Sequence, residues 1–174
     1  MPNPLDPIWQ SYNITRDSFR VVRRSLGLGA ERAAALRGGQ FSAATDQQIL
    51  GLLDTAQDTI DEQAVMFLYA TFEAALRGHI AAQAGVFVGV THPTAQFGLN
   101  MKSWFADLCD DTRMNQVVDL FKPSVNQDIV AQVGTIRTYR HWLAHGKRGA
   151  GPPSVTPVFA YTTLTSFLQS CSLV

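Results

Sequence analysis

The chain has 174 residues, 46% of them hydrophobic and 16% charged, and its fourteen basic residues balance its fourteen acidic ones. This length predicts a single domain, 1–174, with its own core, and the zero net charge excludes a protein that holds nucleic acid by overall positive charge. Two cysteines and an N-terminus without a basic or apolar leader predict a cytoplasmic protein.

The N-terminal part of the sequence predicts two helices of unequal length. The first spans 6–26, because Pro7 suits a first helical turn and apolar residues recur at helical spacing up to Gly27. A short second helix is expected over 31–36, and a glycine pair ends it.

A much longer helix is predicted to follow. Thr45 or Asp46 provides its N-cap, and the helical pattern continues to about Ala84. A break near Gly51 or Asp58 is the alternative, although no proline marks the point.

Part of this long helix is apolar enough to raise the question of a membrane span. The stretch 64–90 carries Glu73, Arg77 and His79 near its middle. Charged groups are costly in lipid, so we expect a buried helix in a protein without membrane contact.

The sequence after the long helix predicts a connection and then shorter helices. Residues 86–97 contain Gly89 and a His-Pro pair and are followed by Gly98, so we expect a connection there, with some extended structure at 86–88. Short helices are expected at 99–109 and 114–121, where paired aspartates and a Lys-Pro pair bound them.

Two further helices are predicted on either side of a final loop. Ser124 or Asn126 begins the first of them, Gly146 fits its C-cap, and the second spans 158–170. No strand pair or repeat is evident. The sequence therefore predicts an all-α fold, a helical bundle of four to six helices with a long central helix.

The segment 137–148 carries the strongest functional signal in the sequence. Four cations and two imidazoles crowd the end of a helix that is predicted to be buried: Arg137, Arg140, Lys147, Arg148, His141 and His145. Such groups are costly in an interior unless they are paired or used in function. Arg140 interrupts the apolar stripe of this helix, whereas His141 and His145 follow a second, polar stripe beside it.

The order of these residues resembles a family signature. Arg140 is followed by a polar residue, His141, then by three further residues and His145. This pattern, Arg-polar-x-x-x-His, is similar to the signature of the HEPN superfamily, small helical bundles that include metal-independent ribonucleases. The resemblance spans the long helix through Gly146. It implies that Arg140 and His145 are catalytic, that no metal or cofactor takes part, and that two signature helices meet in a homodimer.

The resemblance also implies a reaction on RNA. Cleavage without a metal requires removal of a proton from the ribose 2′-hydroxyl, stabilisation of the charged phosphorane and protonation of the leaving oxygen. Histidine titrates near neutrality, and arginine presents a planar donor fork to phosphate oxygens. We therefore expect the two His145 of a dimer to act as base and acid and Arg140 to hold the scissile phosphate. The expected setting is a toxin–antitoxin or phage-defence system.

Neighbouring residues receive supporting roles. His141 is expected to orient the site or contact the ribose. Glu73 lies on the inward stripe of the long helix and matches an acid that many HEPN domains carry near the signature arginine, so we expect it to pair with Arg140. The expected RNA-binding residues are the remaining cations of the segment, Arg137, Lys147 and Arg148.

Aromatic residues of the signature helix predict the dimer surface. Tyr139, His141 and Trp142 lie outside the buried stripe, and we expect them to form an exposed aromatic surface. One position departs from a HEPN subgroup: toxins paired with a nucleotidyltransferase antitoxin commonly have a tyrosine where this chain has Lys147. That silencing mechanism is therefore not predicted, although an antitoxin protein stays among the expected partners.

Several other interpretations stay open. Arg140 alone is equally well explained by a structural ion pair, and a histidine at a helix end by capping. His141 and His145 have the spacing of a zinc pair, but they lack an obvious third ligand and no glutamate lies between them. The domain is alternatively a non-catalytic HEPN module that binds nucleotide or RNA or forms a dimeric scaffold, or a helical interaction protein with an accidental motif.

Overall fold

The structure is a computed structural model that describes residues 2–27, 39, 41–88, 97–100, 103, 107 and 112–174, the side chains of 84–88 excepted. Its helices are α1 (Asp6–Ser25), α2 (Asp46–Val88), α3 (Met114–Phe121), α4 (Gln127–Ala144) and α5 (Pro157–Ser170), with a 3₁₀ turn at Lys122–Ser124 after α3. No strand occurs in these parts of the chain. The predicted all-α helical bundle with a long central helix is confirmed.

Helix α1 spans the predicted residues and is tied to two other helices. Near its start, the Tyr161 hydroxyl of α5 donates a hydrogen bond of 2.8 Å to Asp6. In its second turn, the Tyr12 hydroxyl donates a hydrogen bond of 2.9 Å to Asp61 of α2. These bonds hold the N-terminal segment against the bundle. The predicted short helix over 31–36 lies outside the described residues.

Helix α2 is an unbroken helix of 43 residues, about 65 Å long. A capping box closes its N-terminus: the Thr45 hydroxyl accepts from the Gln48 backbone N–H at 3.3 Å, and the Gln48 side chain accepts from the Thr45 N–H at 2.8 Å. The alternative of a break near Gly51 or Asp58 is wrong. A glycine within a helix costs only about 1 kcal/mol, which the packing of α1 along this part of α2 offsets.

The C-terminal end of α2 also differs from the prediction. The helix continues to Val88, so the extended structure expected at 86–88 is wrong. The two valines and the phenylalanine there favour a strand by only a fraction of a kcal/mol, and the preceding helix propagates through them. Residues 89–96, and most of the short helix predicted at 99–109, lie outside the described residues, although 97–100 are helical.

Helix α2 is the centre of the bundle and packs against α1, α3, α4 and α5. Phe72 of α2 meets Phe167 of α5 edge to face, with ring centroids 5.2 Å apart. The largest fully buried side chains come from several helices and include Leu68, Tyr69, Phe72, Leu76, Ile136, Leu164 and Phe167. Within the described part of the chain, no helix combines the length and the apolar character that a bilayer crossing requires.

Both ends of α4 are closed by local motifs. The Asn126 side chain accepts a hydrogen bond of 2.8 Å from the backbone N–H of Asp128, so Asn126 is the N-cap. His145 is the C-cap, and Gly146 follows it with φ of 70°. The N–H of Lys147 donates to the Trp142 carbonyl at 2.9 Å, which completes a Schellman motif.

Candidate functional site

Arg140 lies on the face of α4 that is turned toward the bundle, beside the buried Val133 and Ile136. Its side chain is half-buried, and its Nε atom is buried without a hydrogen-bond partner. None of the ion pairs formed within the described residues includes Arg140. Within the described residues, no structural ion pair explains this arginine.

Glu73 pairs with a different arginine from the one predicted. Its Oε1 atom accepts hydrogen bonds from Arg77 Nη2 at 3.0 Å and Arg77 Nε at 3.2 Å, and Arg77 also donates to the Thr112 carbonyl at 2.9 Å. The predicted ion pair between Glu73 and Arg140 is therefore wrong. Arg77 is four residues further along the same helix, so it reaches the carboxylate without any tertiary contact having to form first.

Tyr69 of α2, which is not among the predicted site residues, lies among the charged groups of the site. Its side chain is 1% exposed, and its hydroxyl has no hydrogen-bond partner within the described residues. Burial raises the pKa of this hydroxyl and the nearby Glu73 charge raises it further, whereas Arg137, Arg140 and Arg77 act in the opposite direction. The sequence does carry a signal for Tyr69, because this tyrosine stands in a stretch of leucines and phenylalanines that is predicted to be buried. A buried hydroxyl needs a hydrogen-bond partner, so such a position is a candidate for a polar contact.

The two histidines lie together at the C-terminal end of α4. Their ring centroids are 4.1 Å apart, with an angle of 60° between the planes, and both residues are exposed. If the motif were accidental, we would expect His145 to be buried away from any cleft, and its exposure does not fit that alternative. In the described parts of the chain, no group of three histidine, cysteine, aspartate or glutamate residues is arranged to hold a metal ion.

Arg140 and His145 do not face each other within one chain. They are five residues apart on one helix, so they lie about 140° apart around its axis and about 7.5 Å apart along it. The structure thus brings His141 and His145 together and leaves Arg140 on the adjoining, partly buried face. Residue spacing alone therefore does not place Arg140 and His145 of one chain on the same phosphate.

The cations expected to bind RNA have three different environments. Lys147 Nζ lies 2.6 Å from Glu62 Oε1 of α2 and 5.9 Å from the centre of the Trp142 ring, so this lysine is held against the bundle. Arg148 is exposed and forms no ion pair within the described residues. Arg137 is half-buried and lines a cleft between α2, α3 and α4. RNA binding by these residues stays a prediction.

The aromatic surface predicted for the end of α4 is wrong. Tyr139 is only 8% exposed, Trp142 is half-buried, and their ring centroids are 5.9 Å apart. The loop after α4 covers Trp142: a Cβ on Gly151 would lie 3.1 Å from the Trp142 ring. The sequence could not show that this loop folds back over its own helix, so His141 is the only one of the three that is exposed.

No family model, curated protein or solved structure matches this chain. A functional interpretation therefore depends on the chemistry of α4 and its neighbours. That chemistry comprises an unpaired arginine on a partly buried face and two exposed imidazoles at the helix end. Such groups are suited to holding an anion and to transferring protons.

Proposed function

We propose that this protein is a metal-independent endoribonuclease of the HEPN type, which cleaves RNA by attack of the ribose 2′-hydroxyl on the adjacent phosphate. The observation that carries the proposal is the unpaired state of Arg140 among the described residues. The buried Nε atom of Arg140 has no acceptor within the described residues, and a bound anion would remove the cost of this unmade hydrogen bond. Because Glu73 is already held by Arg77, the guanidinium of Arg140 is available to a phosphate.

The histidine pair provides the proton transfers in this proposal. His145 is exposed at the end of α4, where it can reach both substrate and solvent. It would remove the 2′-hydroxyl proton or protonate the leaving oxygen, and a second His145 would perform the other step. His141, whose ring contacts that of His145, would orient it.

The proposal requires a homodimer, because Arg140 and His145 of one chain point in different directions. Two copies joined through the C-terminal ends of α4 would bring His145 of each chain near Arg140 of the other. Since Tyr139 and Trp142 are covered by their own chain, this surface is polar, and we expect a dimer that dissociates on dilution. Sedimentation velocity over a dilution series tests this; a monomer at every concentration, with RNA present, would contradict the composite site.

The direct test is incubation of the purified protein with end-labelled RNA in EDTA. We expect fragments that end in 2′,3′-cyclic phosphate, because the 2′-hydroxyl is the nucleophile. DNA of the same base sequence is the matched control and should stay intact. Products with ordinary 3′-hydroxyl ends, or cleavage that appears only when a metal is added, would contradict the mechanism. An activity of this kind would suit a cytoplasmic toxin or phage-defence effector whose partners include RNA and an antitoxin protein.

The alternative function is a non-catalytic HEPN module that binds nucleotide or RNA or serves as a dimeric scaffold. The separation of Arg140 and His145 within one chain favours it, as does the engagement of Lys147 by Glu62. If the protein binds RNA but cleaves none of the tested RNA sequences, this alternative is supported. In that case Arg140→Ala should weaken binding while His145→Ala leaves it nearly unchanged.

A further inference from the structure

Arg137 lines a cleft between α2, α3 and α4 that neither His141 nor His145 lines. Its volume is about 300 Å³, at the lower end of the range for small-molecule sites. Helix α2 contributes Tyr69, α3 contributes Asn115, and the 3₁₀ turn contributes Lys122. Helix α2, the adjoining α3 and 3₁₀ turn, and Arg137 of α4 thus converge on one small volume.

Two polar groups of this cleft have no hydrogen bond or ion pair within the described residues. The Tyr69 hydroxyl is buried and unpartnered, and Arg137 is half-buried without a carboxylate. A buried polar group without a partner costs about 1–3 kcal/mol. Both residues line the same cleft, and the charge of Arg137 acts on the Tyr69 hydroxyl. A ligand that accepts hydrogen bonds from both would remove this cost.

The charge of the cleft favours an anion with one negative charge. Lys122 is paired with Asp119, with Nζ 2.7 Å from the carboxylate, so Arg137 is the cation left uncompensated. A carboxylate carries one charge and matches the arginine fork with two parallel hydrogen bonds. A phosphate dianion would carry one negative charge more than Arg137 compensates.

Part of the cleft wall is apolar, and α3 and α4 both contribute to it. Val118 and Val133 are 7% and 1% exposed, and Val130 is half-buried beside them. Such a wall favours the hydrocarbon part of a ligand and contributes about 25 cal/mol for each Å² of apolar surface removed from water. The ligand class is therefore a small molecule with a carboxylate at one end and an apolar body at the other.

We infer that this cleft is a binding site for a small organic monocarboxylate. The carboxylate accepts hydrogen bonds from Arg137 and the Tyr69 hydroxyl, and the apolar body contacts Val118, Val130 and Val133. The Asn115 amide is available to a polar substituent. This inference does not depend on ribonuclease activity, because it uses neither Arg140 nor His145.

The test is isothermal titration calorimetry of the full chain with benzoate and 3-methylbutanoate. We expect both to bind and to raise the melting temperature with concentration. Benzamide, the uncharged counterpart of benzoate, and inorganic phosphate should bind at least tenfold more weakly. Failure of both carboxylates to bind, or equal binding of benzamide or phosphate, would overturn the inference.

Two variants show whether the assigned groups hold the ligand. Tyr69→Phe removes only the hydroxyl, so affinity for benzoate should fall about tenfold while the unliganded protein stays at least as stable, since a buried unpartnered group is gone. Arg137→Gln should abolish measurable binding. Arg148→Gln is the control: it removes the same charge from an exposed position near the end of the same helix and should bind benzoate normally. An unchanged affinity in Tyr69→Phe, or an equal loss in Arg148→Gln, would contradict the assigned site.

Discussion

Two polar regions lie along the same helix, α4, and differ in their surroundings. Toward the middle of the helix, Arg137 faces a cleft that α2 and α3 close, next to the buried hydroxyl of Tyr69. At the C-terminal end, His141 and His145 are exposed to solvent. One helix thus carries polar groups that are costly to bury and polar groups that water stabilises. Helical spacing decides which residues share a face of α4. The neighbouring helices decide how far that face is buried, and so how much free energy its polar groups cost the fold.

The largest expected effect at the exposed end concerns RNA cleavage. His145→Ala should lower the cleavage rate about 100-fold or more, because it removes a proton-transfer group. Its melting temperature should stay close to that of the parent, since His145 is an exposed C-cap. Single-turnover kinetics and thermal unfolding measure both quantities. If a folded His145→Ala variant cleaves RNA at the parental rate, His145 does not transfer a proton in the reaction.

Arg140→Ala should lower cleavage by a similar factor, about 100-fold or more, through loss of the phosphate contact. Glu73 keeps Arg77 as its partner in this variant, so no buried acid is left unpaired. Arg140→Met retains the hydrocarbon part of the side chain and is the control for lost packing. If Arg140→Met cleaves RNA at the parental rate, the guanidinium is not needed and the proposed role fails.

A smaller effect is expected from Glu73→Gln, which tests the partner that the structure assigns to this acid. The change weakens two hydrogen bonds from Arg77, and we expect unfolding in urea to show a loss of about 1–2 kcal/mol. The cleavage rate of the folded variant should be unchanged. If Glu73→Gln loses cleavage but keeps its stability, Glu73 instead holds Arg140 in place for the reaction.

The N-cap of α4 should contribute about 1 kcal/mol. Asn126→Ala removes the side chain that accepts from the Asp128 N–H, so stability in urea should fall by about this amount. Ser124→Ala is the matched control, because the sequence offered Ser124 as the other N-cap and the structure places it in the 3₁₀ turn instead. An equal loss in the two variants would contradict the cap assignment.

The smallest effect is expected from Lys147→Met, which removes the exposed contact with Glu62. The shift in melting temperature should be less than that of Asn126→Ala, because solvent and salt screen such pairs. The hydrogen bond to Glu62 raises the pKa of Lys147, so the stabilisation is complete below the ordinary value of 10.5 and is lost as the pH rises through the raised value. The difference in melting temperature between the parent and Lys147→Met, measured by scanning calorimetry, should therefore shrink in strong alkali. A difference that stays constant would mean that the charge of Lys147 does not contribute to stability.

Local signals predicted the helix boundaries of the described regions well. Thr45 and Gln48 form the N-terminal box of α2, and Asn126 caps α4, because these bonds join residues no more than three positions apart. Gly146, predicted as the C-cap of α4, lies one residue after the observed C-cap, His145, in the left-handed region that a glycine after a helix commonly adopts. The extended structure expected at 86–88 failed because short-range strand preference is weaker than continuation of an existing helix.

The amino-acid sequence by itself determined the all-α class, the main helices and the face of α4 on which each polar residue lies, since these depend on residue spacing and on caps within a few positions. Only the tertiary structure decided which groups meet. It paired Glu73 with Arg77, folded the loop over Trp142, and left Tyr69 and Arg140 without partners among the described residues. The physical reason is that a helical pattern fixes directions around one axis, whereas burial and pairing depend on distances between elements far apart in the chain.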